Sequence, residues 1–269
     1  MIIRVLICAV IFGSLTPAYA SDSIFTSTTE LKAEAITLGD EAAEVVISPF
    51  RVKDYALLTT LGVMGAVGLT YAFDGTIQTK VQGLKGNSLD KVTNFGSNVI
   101  GNPFVHLGVA FAVYGGGVLA DAPKWKDTGA MLGEAVLLAD AGSFIMKQVV
   151  GRARPFVSND RGDFKPLQFK TDYDSFPSMH TASSFAMASV MSSMTENLGG
   201  KLLYYSAATF VGFSRLYQNK HWASDIIMGA ALGELCGRVV VHQHSKQSSV
   251  TLIPMVSDGA YGLALTKQW

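Results

Sequence analysis

Apolar residues gather into six blocks, at roughly 55–73, 103–120, 128–150, 179–195, 202–217 and 223–242. Each is rich in Ala, Gly, Leu, Met and Val and too long for an ordinary strand, so each predicts a helix. Ahead of them, residues 29–47 place apolar side chains at helical spacing, and Pro49 closes that segment. Gly115, Gly116 and Gly117 in the second block imply close helix packing or a frayed end. Between the third and fourth blocks, residues 156–176 are polar and carry seven charges. A loop of that length is more often functional than not. Beyond Val241, strand-like runs at 249–256 and 260–269 flank Ser257, Asp258 and Gly259, which predicts a hairpin. The expected fold is all-α, a bundle of about six core helices with a short C-terminal β-hairpin. The expected organisation is a signal peptide at 1–20, a polar helical segment at 21–54, a helical domain at 55–245 and a hairpin or tail at 246–269.

Composition narrows the class. Of the 269 residues, 49% are hydrophobic and only 16% charged, against roughly 25% charged in ordinary soluble domains. That excludes disorder over most of the chain. Lys and Arg number 21, as do Asp and Glu. With no basic excess, a nucleic-acid partner is not expected. At the N-terminus, Arg4, an apolar run and Ala18-Tyr19-Ala20 form the pattern of a secretory signal peptide cleaved after Ala20; an uncleaved anchor helix is the other reading. Cys8 lies inside that segment. Cys236 is then the single cysteine of the processed chain, unable to form an intrachain disulfide and expected to be buried in a helix.

Three short motifs carry candidate chemistry. The first runs from Lys147 to Arg154 and Pro155. The two cations stand seven apart, so on a helix they share a face, and Pro155 is expected to stop that helix near Arg154. Such a pair suits a tetrahedral oxyanion, or equally a basic helix end complementing the dipole. The second is Phe176-Pro177-Ser178-Met179-His180-Thr181. Ser178 is expected to cap the fourth block's helix, its hydroxyl and the first free N–H groups facing the same anion, with His180 beside it. The third runs from Ser214 and Arg215 to His221 and Asp225. His221 and Asp225 are four apart on one helix face, so the carboxylate can hold one ring nitrogen as a donor and leave the other with a lone pair. Arg215 adds a third cation.

Together these motifs resemble the type 2 phosphatidic acid phosphatase (PAP2) superfamily, which includes bacterial class A acid phosphatases, lipid phosphate phosphatases and vanadium haloperoxidases. The family pattern is Lys-x6-Arg-Pro, then Pro-Ser-Gly-His, then Ser-Arg-x5-His-x3-Asp. Every spacing within the motifs is met, in the same order, with 21 residues between Pro155 and Pro177 and 33 between His180 and Ser214. The similarity covers at least 128–242. Met179 departs from it, standing at the family's glycine position. The resemblance implies a phosphatase of phosphate monoesters, lipid phosphates or small soluble esters. His221 would be the nucleophile that becomes phosphohistidine, Asp225 its orienting carboxylate, and His180 the acid and then the base. Lys147, Arg154, Arg215, Ser178 and the Met179 N–H would bind the phosphate oxygens. It implies no cofactor and no metal ligand, since fixed cations take a metal's place. A vanadate-dependent haloperoxidase and a non-catalytic lipid-phosphate binding protein are the alternatives.

Several other residues read as structural. His106 is expected to be a core or interface histidine. His242 and His244 are expected beyond the last helix, complementing its dipole. Lys124, Trp125 and Lys126 read as a surface loop, and Asp140, seven before Lys147, as a partner for the site. Residues 55–73 and 92–120 lack charge over lengths that can span a bilayer. Glu134 and Asp140 interrupt the third block, while Glu234 and Arg238 form an i,i+4 pair in the sixth, better suited to protein or water than to lipid. Six spans following a signal peptide would turn the motifs toward the cytoplasm. The expected location is therefore periplasmic, as a helical domain in contact with a membrane surface, with an integral membrane protein as the alternative. A second copy of the chain is a further candidate partner.

Overall fold

The computed structural model describes residues 28–52, 55–247, 250–257 and 260–267, with side chains described over 35–52 and 55–246. The proposed signal peptide lies outside the described residues. The chain divides into two compact units, Met1–Thr37 and Leu38–Trp269. The first is described only as helical backbone from Thr28 onward. The second contains every motif residue.

Helix α1 (Thr28–Ile47) ends in a short turn, Ser48–Phe50, with Pro49 in its first positions. Helix α2 (Ala56–Gln82) follows, then α3 (Asn87–Phe95), which opens into a wider helical turn at Gly96–Ile100. Helix α4 (Pro103–Leu119) starts on an Asn102 cap, whose side-chain oxygen accepts from the Phe104 N–H at 2.9 Å. The uncharged 92–120 run is therefore not one straight element. It bends by 51° between Asn87–Ile100 and Pro103–Leu119. Proline at a first helical position and an Asn cap both start a new helix there. Helices α5 (Pro123–Val150), α6 (Met179–Ser193), α7 (Leu198–Tyr217) and α8 (Ala223–Gln247) complete the bundle. Lys124, Trp125 and Lys126 lie in the first turn of α5, not in a loop. His242 and His244 lie within α8, not beyond it. Strands β1 (Val250–Ser257) and β2 (Ala260–Lys267) pair antiparallel, Val250 opposite Lys267 and Ser257 opposite Ala260.

The core lies where α5, α6 and α8 meet. Leu132, Ala135 and Ala139 of α5, Ala182 and Ala186 of α6, and Cys236 of α8 are all buried in one apolar cluster. Side chains this small let the backbones approach closely. On α8, a Cβ at Gly233 would stand 2.1 Å from the Ala182 carbonyl oxygen, and one at Gly229 would stand 2.6 Å from the Ser178 carbonyl oxygen. This seam holds the start of α8 against the start of α6, as in the small-residue interfaces of membrane helices. The Ser178 N–H donates across it to the Asp225 carbonyl at 3.0 Å. Glu234 receives Arg238 at 2.6 Å and the Tyr205 hydroxyl at 2.8 Å, so that pair ties α8 to α7.

Helices α2 and α5 are long and apolar enough to cross a membrane, and the bent α3–α4 pair is a third candidate if it counts as one span. Almost none of α2 is buried: Leu58, Leu61, Met64, Leu69 and Phe73 all face outward.

Gly233→Ala should lower stability by roughly 1–3 kcal/mol, because the added methyl group meets backbone that cannot rotate away. Gly62→Ala in α2, where a Cβ meets nothing within 4 Å, should leave stability unchanged or raise it by about 0.5–1 kcal/mol. Thermal unfolding of the two variants in the same detergent checks both outcomes.

Candidate active site

Helix α5 stops at Val150, four residues before Arg154, because Gly151 turns left-handed at φ +59°. Only glycine fits there. A Cβ would lie 2.0 Å from the Lys165 carbonyl oxygen. Lys147 and Arg154 therefore do not share a helical face, as their spacing had implied, and Pro155 is not what ends the helix. Asp174 of the 156–176 loop brings them together instead. The Lys147 ammonium donates to its carbonyl oxygen, and Arg154 Nε donates to its carboxylate at 2.6 Å. Arg154 also reaches the Thr171 carbonyl at 3.0 Å and the Lys220 carbonyl at 3.3 Å. Arg215, in the last turn of α7, donates to Ser97 Oγ at 2.6 Å, and its Nε is buried with no hydrogen-bond partner among the described residues.

His221 is buried in the turn between α7 and α8. Its Nδ1 lies 2.7 Å from the Ser175 carbonyl oxygen. A carbonyl only accepts, so Nδ1 carries the proton and Nε2 keeps its lone pair. The carboxylate of Asp225, expected to be the direct partner, stands 3.6 Å from Nδ1. It accepts instead from the Ser175 hydroxyl at 2.5 Å, the Trp222 N–H at 2.8 Å and Arg152 Nη1 at 2.6 Å. Asp225 thus acts on His221 through Ser175, whose hydroxyl it fixes and whose carbonyl holds the ring.

Ser178 occupies the N-cap position of α6, but its hydroxyl receives the Thr181 hydroxyl at 2.9 Å and makes no side-chain cap. Met179 and His180 are the first two helical residues. Met179 is not among the described residues with positive φ, so this position needs no glycine. Asp140 accepts from the Ser183 hydroxyl, joining α5 to α6 rather than bonding Lys147. His106 is buried with Nε2 2.5 Å from the Ile100 carbonyl oxygen.

Electrostatics show that the motifs share one place. The His180 imidazole is pushed down to about 2 by burial, then by Arg215, Lys147 and Arg154. His221 is held well below its ordinary value by burial, then by Arg154, Lys147 and Arg215. Both rings are neutral without a ligand. Three cations around two imidazoles attract an anion.

Arg152 and Asp74, like Asp174 and Ser175, escaped the sequence reading. Arg152 is 1% exposed and bridges Asp225 at 2.6 Å to Asp74 of α2 at 2.8 Å. The Tyr71 and Trp222 rings lie 5.0 and 5.2 Å from its guanidinium carbon. Asp74 also accepts from the Ser224 N–H at 2.9 Å and the Ser224 hydroxyl at 2.5 Å. A signal for Asp74 existed: it is the lone acid within a long apolar helix, and such residues are seldom idle. Arg152→Met should cost about 3–5 kcal/mol, since it strands two buried carboxylates. Arg152→Lys should recover only part of that, because one ammonium cannot replace a planar fork. Denaturation midpoints of the two variants against wild type test this.

Comparison with known proteins agrees with the motifs. Residues 128–249 match the family model described as PAP2 superfamily. The lipid A 1-phosphatase of Porphyromonas gingivalis is 39% identical over 71 residues, which are 26% of this chain and 16% of that protein. The lipid A 1-phosphatase of Rhizobium etli is 28% identical over 107 residues, 39% of this chain and 45% of that protein. The chain thus spans less than half the length of these relatives. The crystal structure of Aquifex aeolicus LpxE superposes with a TM-score of 0.49 at 23% identity, covering 62% of this chain and 93% of that one. All three motifs, from Lys147 to Asp225, fall inside the matched 128–249 segment, so the part of the chain that is similar to the PAP2 superfamily is the part that carries the motif residues.

Proposed function

We propose that the chain is a membrane-bound phosphatase of lipid phosphate monoesters, acting without a metal through a phosphohistidine. The observation that carries this is the His221 ring. Its Nδ1 proton is fixed on the Ser175 carbonyl, and its free Nε2 stands in the field of Arg154, Lys147 and Arg215. A phosphoryl group held by those cations presents its phosphorus to that nitrogen. The buried, unpartnered Nε of Arg215 is a donor still in need of an acceptor, and a phosphate oxygen supplies one.

In the first half-reaction, His221 Nε2 attacks phosphorus in line, the P–N bond forms and the ester P–O bond breaks. His180 gives its proton to the leaving oxygen. Water then attacks phosphorus, His180 takes a proton from it, and the P–N bond breaks to release phosphate. Negative charge on the three non-bridging oxygens is matched by Lys147, Arg154 and Arg215, which lie in place before substrate arrives and need little reorganisation. The bound dianion also reverses the field that keeps His180 neutral, so substrate itself recruits the proton the acid requires.

The lipid part rests on separate observations. Helices α2 and α5 are long and apolar enough to cross a membrane, outward apolar side chains cover α2, and the relatives from P. gingivalis and R. etli are lipid A 1-phosphatases. Phosphate release from a long-chain lipid phosphate in mixed micelles, against a small soluble aryl phosphate, separates the lipid reading from a general acid phosphatase. The lipid ester should give the higher kcat/KM.

His221→Ala should lose at least about a thousandfold in turnover, the scale for removing a nucleophile that acts in a catalytic unit. His180→Ala should still build phosphoenzyme from an activated ester. Trapping the normal phosphoenzyme in His221→Ala would refute the assignment, and so would activity lost to a chelator and restored only by a divalent ion.

The charge on Arg154 should set the alkaline limb of kcat. His180 must be protonated in the substrate complex, and Arg154 opposes that proton. Arg154→Gln removes a positive neighbour, so the His180 pKa rises and the limb moves to higher pH, although kcat itself falls. A limb that stays put, or moves down, would show that His180 is not the acid.

A further inference from the structure

At the end of the bundle away from the histidines of the phosphatase site, Glu41 of α1, Glu134 of α5 and His244 of α8 converge. One ligand atom from each lies within 4.8 Å of the other two. His244 Nε2 is 2.6 Å from Glu134 Oε2. Glu41 is fully buried, and both its carboxylate oxygens lack a hydrogen-bond partner among the described residues. A charged carboxylate with nothing to bind costs several kcal/mol there, so Glu41 either carries a proton or gives it up to bind a cation. Glu134 and His244 are each about one-fifth exposed, which leaves a way in. Exposed Asp127, two turns before Glu134, acts on His244 from the same side and adds negative charge at the mouth.

We infer that Glu41, Glu134 and His244 form a binding site for a divalent transition-metal ion of the zinc type, distinct from the phosphatase site. One imidazole and two carboxylates suit borderline zinc better than calcium or magnesium, which prefer oxygen alone. Bond lengths of about 2.0–2.2 Å place tetrahedral ligand atoms roughly 3.2–3.6 Å apart. The Glu134–His244 pair would open slightly and Glu41 close in. The ion takes the place of the proton shared between Nε2 and Oε2, and that proton leaves to solvent. Such an ion pins α1 to α5 and α8 and gives the chain a stability that depends on metal supply.

The test uses untagged full-length protein in detergent, stripped with a chelator and titrated with zinc alone. Wild type and His221→Ala should each bind one equivalent, with a Tm that rises with zinc concentration. Absorption spectroscopy at the zinc edge should show one imidazole nitrogen among oxygen ligands. Glu41→Gln and Glu134→Gln should each weaken binding at least about tenfold and flatten the Tm response, while phosphate release without zinc stays within about twofold of wild type. If Glu41→Gln does not fold, the half-buried Glu134→Gln decides. Wild type without a stoichiometric zinc, or wild-type affinity in either Gln variant, would overturn the site.

Discussion

One guanidinium holds the catalytic end together. Arg152 sits between the carboxylates of Asp74 and Asp225, with its charge buried and aromatic rings beside it. Two buried carboxylates facing each other's helices without a cation between them would be costly. Everything nearer the chemistry hangs from this bridge. Asp225 fixes the Ser175 hydroxyl, Ser175 holds the His221 ring, and Asp74 fixes Ser224 at the start of α8. The bridge also joins α2 to α8, so an apolar helix that supplies no motif residue still bears on how the His221 ring is held.

The same end of the molecule keeps its positive charge available to an anion. The carboxylates nearest the motifs are taken up: Asp225 and Asp74 by Arg152, Asp174 by Arg154. Lys147 rests on a carbonyl, and Arg215 on a hydroxyl and an amide oxygen. Neutral partners orient a cation without cancelling it. The field over the two histidines therefore stays positive, as their depressed protonation shows. A field set in advance is worth more than one that must be assembled during reaction.

Much of this was legible before the structure. The six apolar blocks became helices because their Ala- and Gly-rich stretches suit close packing, and the hairpin runs paired as their pattern implied. Spacing alone erred where tertiary contacts outweighed helical geometry. The Lys147–Arg154 interval read as two turns of helix, yet Gly151 ends the helix first and Asp174, far along the chain, restores the convergence. The four-residue interval between His221 and Asp225 implied a direct bond, yet the Ser175 carbonyl lies nearer. Arg152 stood inside the first motif but at a position the pattern leaves free. Its meaning depends on Asp74, 78 residues away, and no local periodicity reports such a pairing.

The two ends of the bundle carry opposite electrostatic character, and their separation bears on whether they influence one another. Glu134 and Lys147 lie on the same helix, thirteen residues apart, or about 20 Å at 1.5 Å per residue. At that distance, with an effective dielectric near 20, a divalent ion interacts with a unit charge by about 1.7 kcal/mol, or by about 0.8 kcal/mol net of the proton it displaces. A cation among Glu41, Glu134 and His244 would therefore alter histidine protonation little through the field alone. Any influence it has on turnover must pass through the packing of α5 against α8, which carry residues of both sites. Helix α8 has little room to adjust, since Gly229 and Gly233 already bring its backbone against α6 to within the reach of a methyl group. The expectation from rigidity is a far site that governs whether the bundle stays folded, and a near site whose chemistry is set by Arg152 and the three cations alone.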